Sequence, residues 1–138
     1  MGSTISALFG GASAAAAEDS STEPSSVISF HSSNRWELHY STIKDSNQLM
    51  VIDFAASWCG PCKLMEPAIQ SMASKFSDVE FAKIDVDELP DVAREFEVQA
   101  MPTFVLVKRG KEVDRVLGAR KDELETKIVK HRSPQSGA

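Results

Sequence analysis

The stretch Leu49-Met50-Val51-Ile52-Asp53-Phe54-Ala55-Ala56-Ser57-Trp58-Cys59-Gly60-Pro61-Cys62 decides the fold. Its first eight residues form a near-continuous apolar run of strand length, the pattern of a strand covered on both faces. The run stops at two cysteines three positions apart. From Pro61 apolar residues return at helical spacing, with Leu64, Met65, Ala68, Ile69, Met72 and Phe76 as the face to be buried. This predicts a helix over 61–76, kinked by the proline at position 67 inside it.

Outward from this junction the texture keeps alternating. Upstream, Val27-Ile28-Ser29-Phe30 reads as a short strand, and residues 34–47 read as a helix with Trp36, Leu38, Tyr40 and Ile43 as apolar contacts. Downstream, 79–86 is a second apolar strand, and Pro90 opens a short helix to about position 96. Residues 103–107 and 112–117 are strands joined through Lys108-Arg109-Gly110-Lys111, a turn long enough for a hairpin. A last helix covers 121–131. Strands alternating with helices and ending in a hairpin predict an α/β domain with a mixed sheet.

The length of 138 residues fits one domain with a real core, and 42% hydrophobic with 25% charged residues is ordinary for a globular chain. A net charge of −5 without a basic stripe disfavours nucleic-acid binding. Residues 1–26 are rich in Gly, Ser and Ala and offer too little apolar surface to offset their ordering entropy, so they read as a disordered extension. The extension has no Lys or Arg but carries Glu18, Asp19 and Glu23, which weakens both secretory and organellar targeting readings. The domain is expected over 27–132, with 133–138 as a flexible tail.

A secreted disulfide scaffold needs more cysteines at wider spacing; here there are two, at i and i+3. Cys59 and Cys62 sit where a strand gives way to a helix. The helix N-terminus places unpaired N–H groups and partial positive charge beside Cys59, which favours thiolate, the nucleophilic form. A zinc site needs four ligands, whereas no second cysteine pair exists and His31, His39 and His131 are not spaced as ligands. An inert structural disulfide gains little from closing so short a loop. The pair therefore points to redox chemistry.

Asp53 stands inside the apolar strand, where an unpaired carboxylate is costly and burial raises its pKa toward that of a neutral-pH proton acceptor. The bland alternative, an aspartate facing water at a strand edge, is disfavoured by Val51, Ile52, Phe54 and Ala55 around it. Pro102, opening the strand at Thr103, reads equally as punctuation, and Trp58 equally as a core aromatic.

From about Val27 to His131 the chain resembles the thioredoxin family. The resemblance is carried by Asp53, Trp58-Cys59-Gly60-Pro61-Cys62, Pro67, Lys83, Met101-Pro102-Thr103, Gly110 and Gly118. The wording Ala-Ser-Trp-Cys-Gly-Pro-Cys and Ala-Met-Pro-Thr-Phe is similar to plant cytosolic h-type members with an N-terminal extension. The resemblance implies a thioredoxin fold: a central mixed five-stranded sheet flanked by four helices. It also implies a protein-disulfide reductase serving cell redox homeostasis, with Cys59 as nucleophile and Cys62 as resolving nucleophile. Asp53 becomes the proton acceptor, tuned by Lys83, and Pro102 a cis proline facing the cysteines. Trp58, Gly60, Pro61, Met101, Gly118 and Ala119 become an apolar docking surface. No cofactor is implied on the chain, whose electrons come from NADPH through a separate thioredoxin reductase. The clients are disulfide-containing proteins such as peroxiredoxins. Position 55, often tryptophan in bacterial members, is alanine here.

Met1-Gly2-Ser3-Thr4-Ile5-Ser6 matches the N-myristoylation pattern at Gly2. One acyl chain binds membranes marginally, and no nearby cysteine or basic cluster supplies a second signal. The expectation is a cytoplasmic protein that partitions reversibly onto membranes. Two competing readings are an oxidase or isomerase, which usually carry other residues between the cysteines, and a binding or chaperone subunit that uses the docking surface without redox turnover.

Overall fold

The structure is a computed structural model that describes residues 26–132. The extension with Gly2 and the tail 133–138 lie outside the described residues. Among the described residues, five strands and four helices follow one another in the order β1 (Val27–Phe30), α1 (Ser33–Ile43), β2 (Met50–Ala55), α2 (Gly60–Lys75), β3 (Glu80–Asp85), α3 (Pro90–Glu95), β4 (Thr103–Lys108), β5 (Lys111–Leu117) and α4 (Lys121–His131). The strands form one sheet in the order β1-β3-β2-β4-β5. β1 and β2 both run parallel to β3, while β4 and β5 add on antiparallel. This is the expected mixed five-stranded sheet with four helices.

Strand β2 lies in the middle and all six of its residues are buried. The period of two along a strand then assigns its side chains to opposite faces. Val51 packs with Phe81, Phe104 and Leu106, under Met65, Ile69 and Met72 of α2 and Leu124 and Ile128 of α4. Met50, Ile52 and Phe54 join Ala82, Ile84, Val105 and Val107 on the other face, under Trp36 of α1 and Val92 and Ala93 of α3. Asp53, two residues from Val51, therefore belongs to the face covered by α2.

Local chemistry sets the ends of these elements. Ser32 caps α1, its hydroxyl accepting from the Arg35 amide at 3.3 Å. α1 ends at Ile43, short of the expected position 47, because the chain turns through residues 44–46. The hairpin between β4 and β5 pairs Lys108 with Lys111, leaving the two-residue loop Arg109-Gly110. Both loop residues have positive φ (56° and 76°), the requirement of a hairpin turn that follows the sheet's right-handed twist. α4 is tied to β5 by Asp114, which accepts from Lys127 at 3.1 Å and contacts His131 at 2.9 Å.

Two expected core contacts face outward instead. Leu38 is 69% and Leu64 77% exposed. The buried position of α1 is Trp36 and the buried stripe of α2 runs through Cys62, Met65, Ile69, Met72 and Ala73, so Leu38 and Leu64 lie off those faces and are turned to the surface. Trp36 is 1% exposed and packs edge-on to Phe30, at 5.3 Å between ring centroids, and stacked on Tyr40, at 5.4 Å. Trp36→Ala is expected to cost about 3–5 kcal/mol in urea unfolding, whereas Leu38→Ala stays within about 0.5 kcal/mol. Comparable losses at both positions would contradict this division of α1.

Candidate active site

The site forms because β2 ends at Ala55 and α2 begins at Gly60, so the connecting loop delivers Cys59 to the N-terminus of a sixteen-residue helix. Cys59 is the N-cap. Its backbone is extended (φ −90°, ψ 110°), and its Sγ accepts the backbone N–H of Cys62 at 3.1 Å. A sulfur so placed takes the position that a Ser or Asp oxygen occupies at other helix starts, where donors and the positive end of the helix converge. Gly60 and Pro61 occupy the first helical positions, where proline's missing N–H is no loss. The two cysteines are joined as a disulfide, with Cα atoms 5.3 Å apart.

Cys59 and Cys62 are nearly buried, and with Ala55 and Ala56 they form a small apolar cluster against which Val86 and Met101 pack. The Met101–Pro102 bond is cis. The Pro102 carbonyl accepts the Gly118 amide at 2.8 Å, which brings the end of β5 beside the start of β4. Gly118 has φ +92°, a conformation that L side chains rarely adopt, so glycine is required at this corner. Pro61, Gly60 and Ala119 are exposed, Met101 and Gly118 half-buried. Trp58 is 67% exposed, so its reading as a core aromatic is excluded. Its indole N–H donates to Asp87 Oδ2 at 2.8 Å, which holds the ring at the surface beside the cysteines.

Asp53 is 6% exposed, and its Oδ1 is buried without a hydrogen-bond partner. Burial pushes its carboxyl up from the ordinary 3.8 to about 7; the Lys83 ammonium opposes that rise and the Glu66 carboxylate adds to it. Lys83 is the lateral partner of Asp53 on β3, but its Nζ donates to Glu66 on α2 at 3.1 Å. Asp53, Lys83, Glu66 and Lys63 line a cavity of about 470 Å³ under the N-terminal half of α2.

Such an arrangement suits thiol–disulfide exchange: a cysteine pair at a helix start, a cis proline beside it, and a buried acid titrating near neutrality. A family model described as Thioredoxin matches residues 28–130. The chain belongs to the thioredoxin family. It is 61% identical to Thioredoxin H2 of Arabidopsis thaliana over 96% of its own length and 100% of that protein. Its fold matches the crystal structure of thioredoxin NaTrxh from Nicotiana alata with a TM-score of 0.80 and 68% identity, over 83% of this chain and 99% of that one. A yeast structure titled for the thiol resolving mechanism of a mitochondrial 1-Cys peroxiredoxin via glutathione/thioredoxin systems matches at 39% identity and a TM-score of 0.67. That match spans 75% of this chain and 94% of its counterpart.

This thioredoxin is thus a thiol–disulfide oxidoreductase, a protein-disulfide reductase of the plant h type. Family members work without a bound cofactor and receive their electrons through thioredoxin reductase. Among the described residues, no group of three or more His, Cys, Asp or Glu side chains is placed to hold a metal, and no helix is long and apolar enough to cross a membrane.

Two residues at the site carry no local sequence signal, Asp87 on the loop after β3 and Glu66 on the exposed side of α2. Each acts through a partner 29 or 17 positions away, a contact only the fold creates.

The Asp53 carboxyl predicts a pH dependence of stability. The folded protein holds this proton up to about pH 7, while the unfolded chain releases it near 3.8, so stability falls as pH rises between those values. The difference corresponds to about 4 kcal/mol, fully expressed above pH 7. In urea unfolding of the oxidised protein, Asp53→Asn should gain little at pH 3.5 and on the order of 4 kcal/mol at pH 8. A gap independent of pH would show that the carboxyl titrates as it does in the unfolded chain.

Proposed function

We propose that Cys59 is the attacking sulfur, Cys62 the resolving one and Asp53 the proton acceptor for Cys62. The observation that carries this is the N-cap position of Cys59, whose Sγ already accepts the Cys62 amide. A charge developing on that sulfur, as thiolate or as leaving group, is stabilised by the hydrogen bond and by the helix N-terminus. Cys59 thiolate attacks one sulfur of a client disulfide; the Cys59–client bond forms, the client bond breaks, and the first client sulfur leaves as a thiolate protonated from water. Cys62 gives its proton to Asp53 through water and attacks the Cys59 sulfur. The Cys59–Cys62 bond forms, the second client sulfur leaves, and two electrons have passed to the client. Lys83 tunes Asp53.

Trp58, Gly60, Pro61, Met101, Pro102, Gly118 and Ala119 form the client-docking surface in this reading. Trp58, Gly60, Pro61 and Ala119 are exposed, Met101 and Gly118 half-buried and Pro102 buried, an uncharged set suited to recognition by shape and backbone pairing. Peroxiredoxins are one client class, supported by the subject of the related yeast structure. The oxidase or isomerase reading lacks support in the Gly-Pro pair between the cysteines, and the family assignment does not favour a redox-silent binding subunit.

Cys62→Ser is expected to abolish NADPH-driven insulin reduction in the presence of thioredoxin reductase while accumulating a one-to-one mixed disulfide through Cys59. Normal turnover by this variant would reverse the assigned roles.

We also propose a cytoplasmic location with part-time membrane residence through myristate on Gly2, supported by the Gly2–Ser6 pattern and by the marginal membrane affinity of a single acyl chain. In cells fed a myristate analogue, the full chain should incorporate label and Gly2→Ala should not. Absence of label from both would remove the lipid from the scheme.

A further inference from the structure

We infer that Glu66 is a positioning residue of this site: by binding the Lys83 ammonium it keeps that cation off the Asp53 carboxyl and so controls how readily Asp53 exchanges its proton. The inference rests on the reading of Asp53 as the proton acceptor for Cys62.

Strand register makes Asp53 and Lys83 lateral neighbours on one face of the sheet. A lysine next to a buried, unpaired carboxylate is its natural counter-ion, and pairing would hold the acid ionised. Asp53 Oδ1 takes no hydrogen bond from Lys83. The Lys83 Nζ reaches across the cavity to Glu66 Oε2 at 3.1 Å, and Asp53 Oδ1 is left buried without a partner. Glu66 is half-exposed and Lys83 one-third exposed, whereas Asp53 is buried, so the ion pair lies toward solvent and the carboxyl lies at the cavity's inner wall.

Among the residues that line the Asp53 cavity, Glu66 is the carboxylate besides Asp53 itself, and on its other side Lys83 lines a second cavity with Asp85 and Glu88. From β1 the cavity receives Val27 and Ser29, and β4 places Phe104 opposite Asp53. α2 contributes Glu66 and Lys63, with Cys59 and Cys62 at its start. Glu66 is thus the acid among them that competes with Asp53 for the ammonium. Its own negative charge also opposes ionisation of Asp53 through space. Both effects raise the proton affinity of Asp53, but only the first runs through Lys83.

The two routes separate in a double-mutant cycle read on the oxidised full chain, where neither cysteine titrates. The measurement is the carbon-13 chemical shift of the Asp53 carboxyl against pH. Glu66→Gln is expected to move the Asp53 midpoint toward acid by about 0.5 pH unit or more, as Lys83 turns to Asp53. In a Lys83→Gln background the same replacement should move it by less than half as much. In the reduced protein, the pH profile of client release from the mixed disulfide should follow the same acid shift. An unmoved midpoint, or equal displacement in both backgrounds, overturns the positioning role. The titration reads Asp53 whether or not it serves Cys62. Asp53→Asn with an unchanged release profile would instead refute the proton-acceptor reading on which the inference rests.

Discussion

A carboxyl group enclosed by the middle strand of a sheet is the constraint around which the site is arranged. β2 is buried from Met50 to Ala55, and its alternation puts Asp53 on the same face as Val51, beneath α2. In that position ionisation forfeits hydration that nothing in the protein fully replaces. Burial outweighs the attraction of Lys83, and the group titrates about pH 7. The proposed proton transfer at neutral pH needs an acid in that condition. The penalty in stability above pH 7 accompanies this poise and cannot be separated from it.

The same strand fixes the sulfurs. Because β2 and α2 pack face to face, the four-residue loop between them has little freedom, and Cys59 arrives at the helix N-cap. Residue exposure does not distinguish the two cysteines, at 4% and 6%. Their surroundings do. Cys59 stands outside the helix between exposed Trp58 and Gly60, while Cys62 is inside the first turn with its amide committed to the Cys59 sulfur. In the proposed assignment, asymmetry of role comes from position on the helix rather than from depth.

Most of this was legible in the residues because it is local. An apolar run of strand length, a Cys-x-x-Cys pair at its end and helical periodicity beyond it are written within 28 positions, and one aspartate in that run marks itself by its chemistry. The hairpin around Gly110 is equally local, although pairing of Lys108 with Lys111 leaves a loop of two residues where the sequence alone suggests four. The misplaced residues are those at which helical phase had to be judged without a partner. Leu38 and Leu64 are apolar, yet the stripe centred on Trp36 or Met65 decides which way they point. Long-range polar pairs were not legible at all. Trp58 to Asp87 and Lys83 to Glu66 each join two elements whose approach follows from sheet order.

Lys83 shows why register alone is an incomplete guide to electrostatics. Placement beside Asp53 on β3 follows from strand pairing, but a lysine side chain is long enough to choose among carboxylates several ångströms apart. An exposed ion pair is worth little by itself, on the order of 0–1 kcal/mol. The alternative for Lys83 is a buried carboxylate whose pairing would require the ammonium to leave water, a desolvation cost of several kcal/mol per ion before any Coulombic return. The weak surface pair can therefore prevail over the stronger-looking buried one. Asp53 is compensated only in part, because Lys83 is held by solvent on one side and by Glu66 on the other.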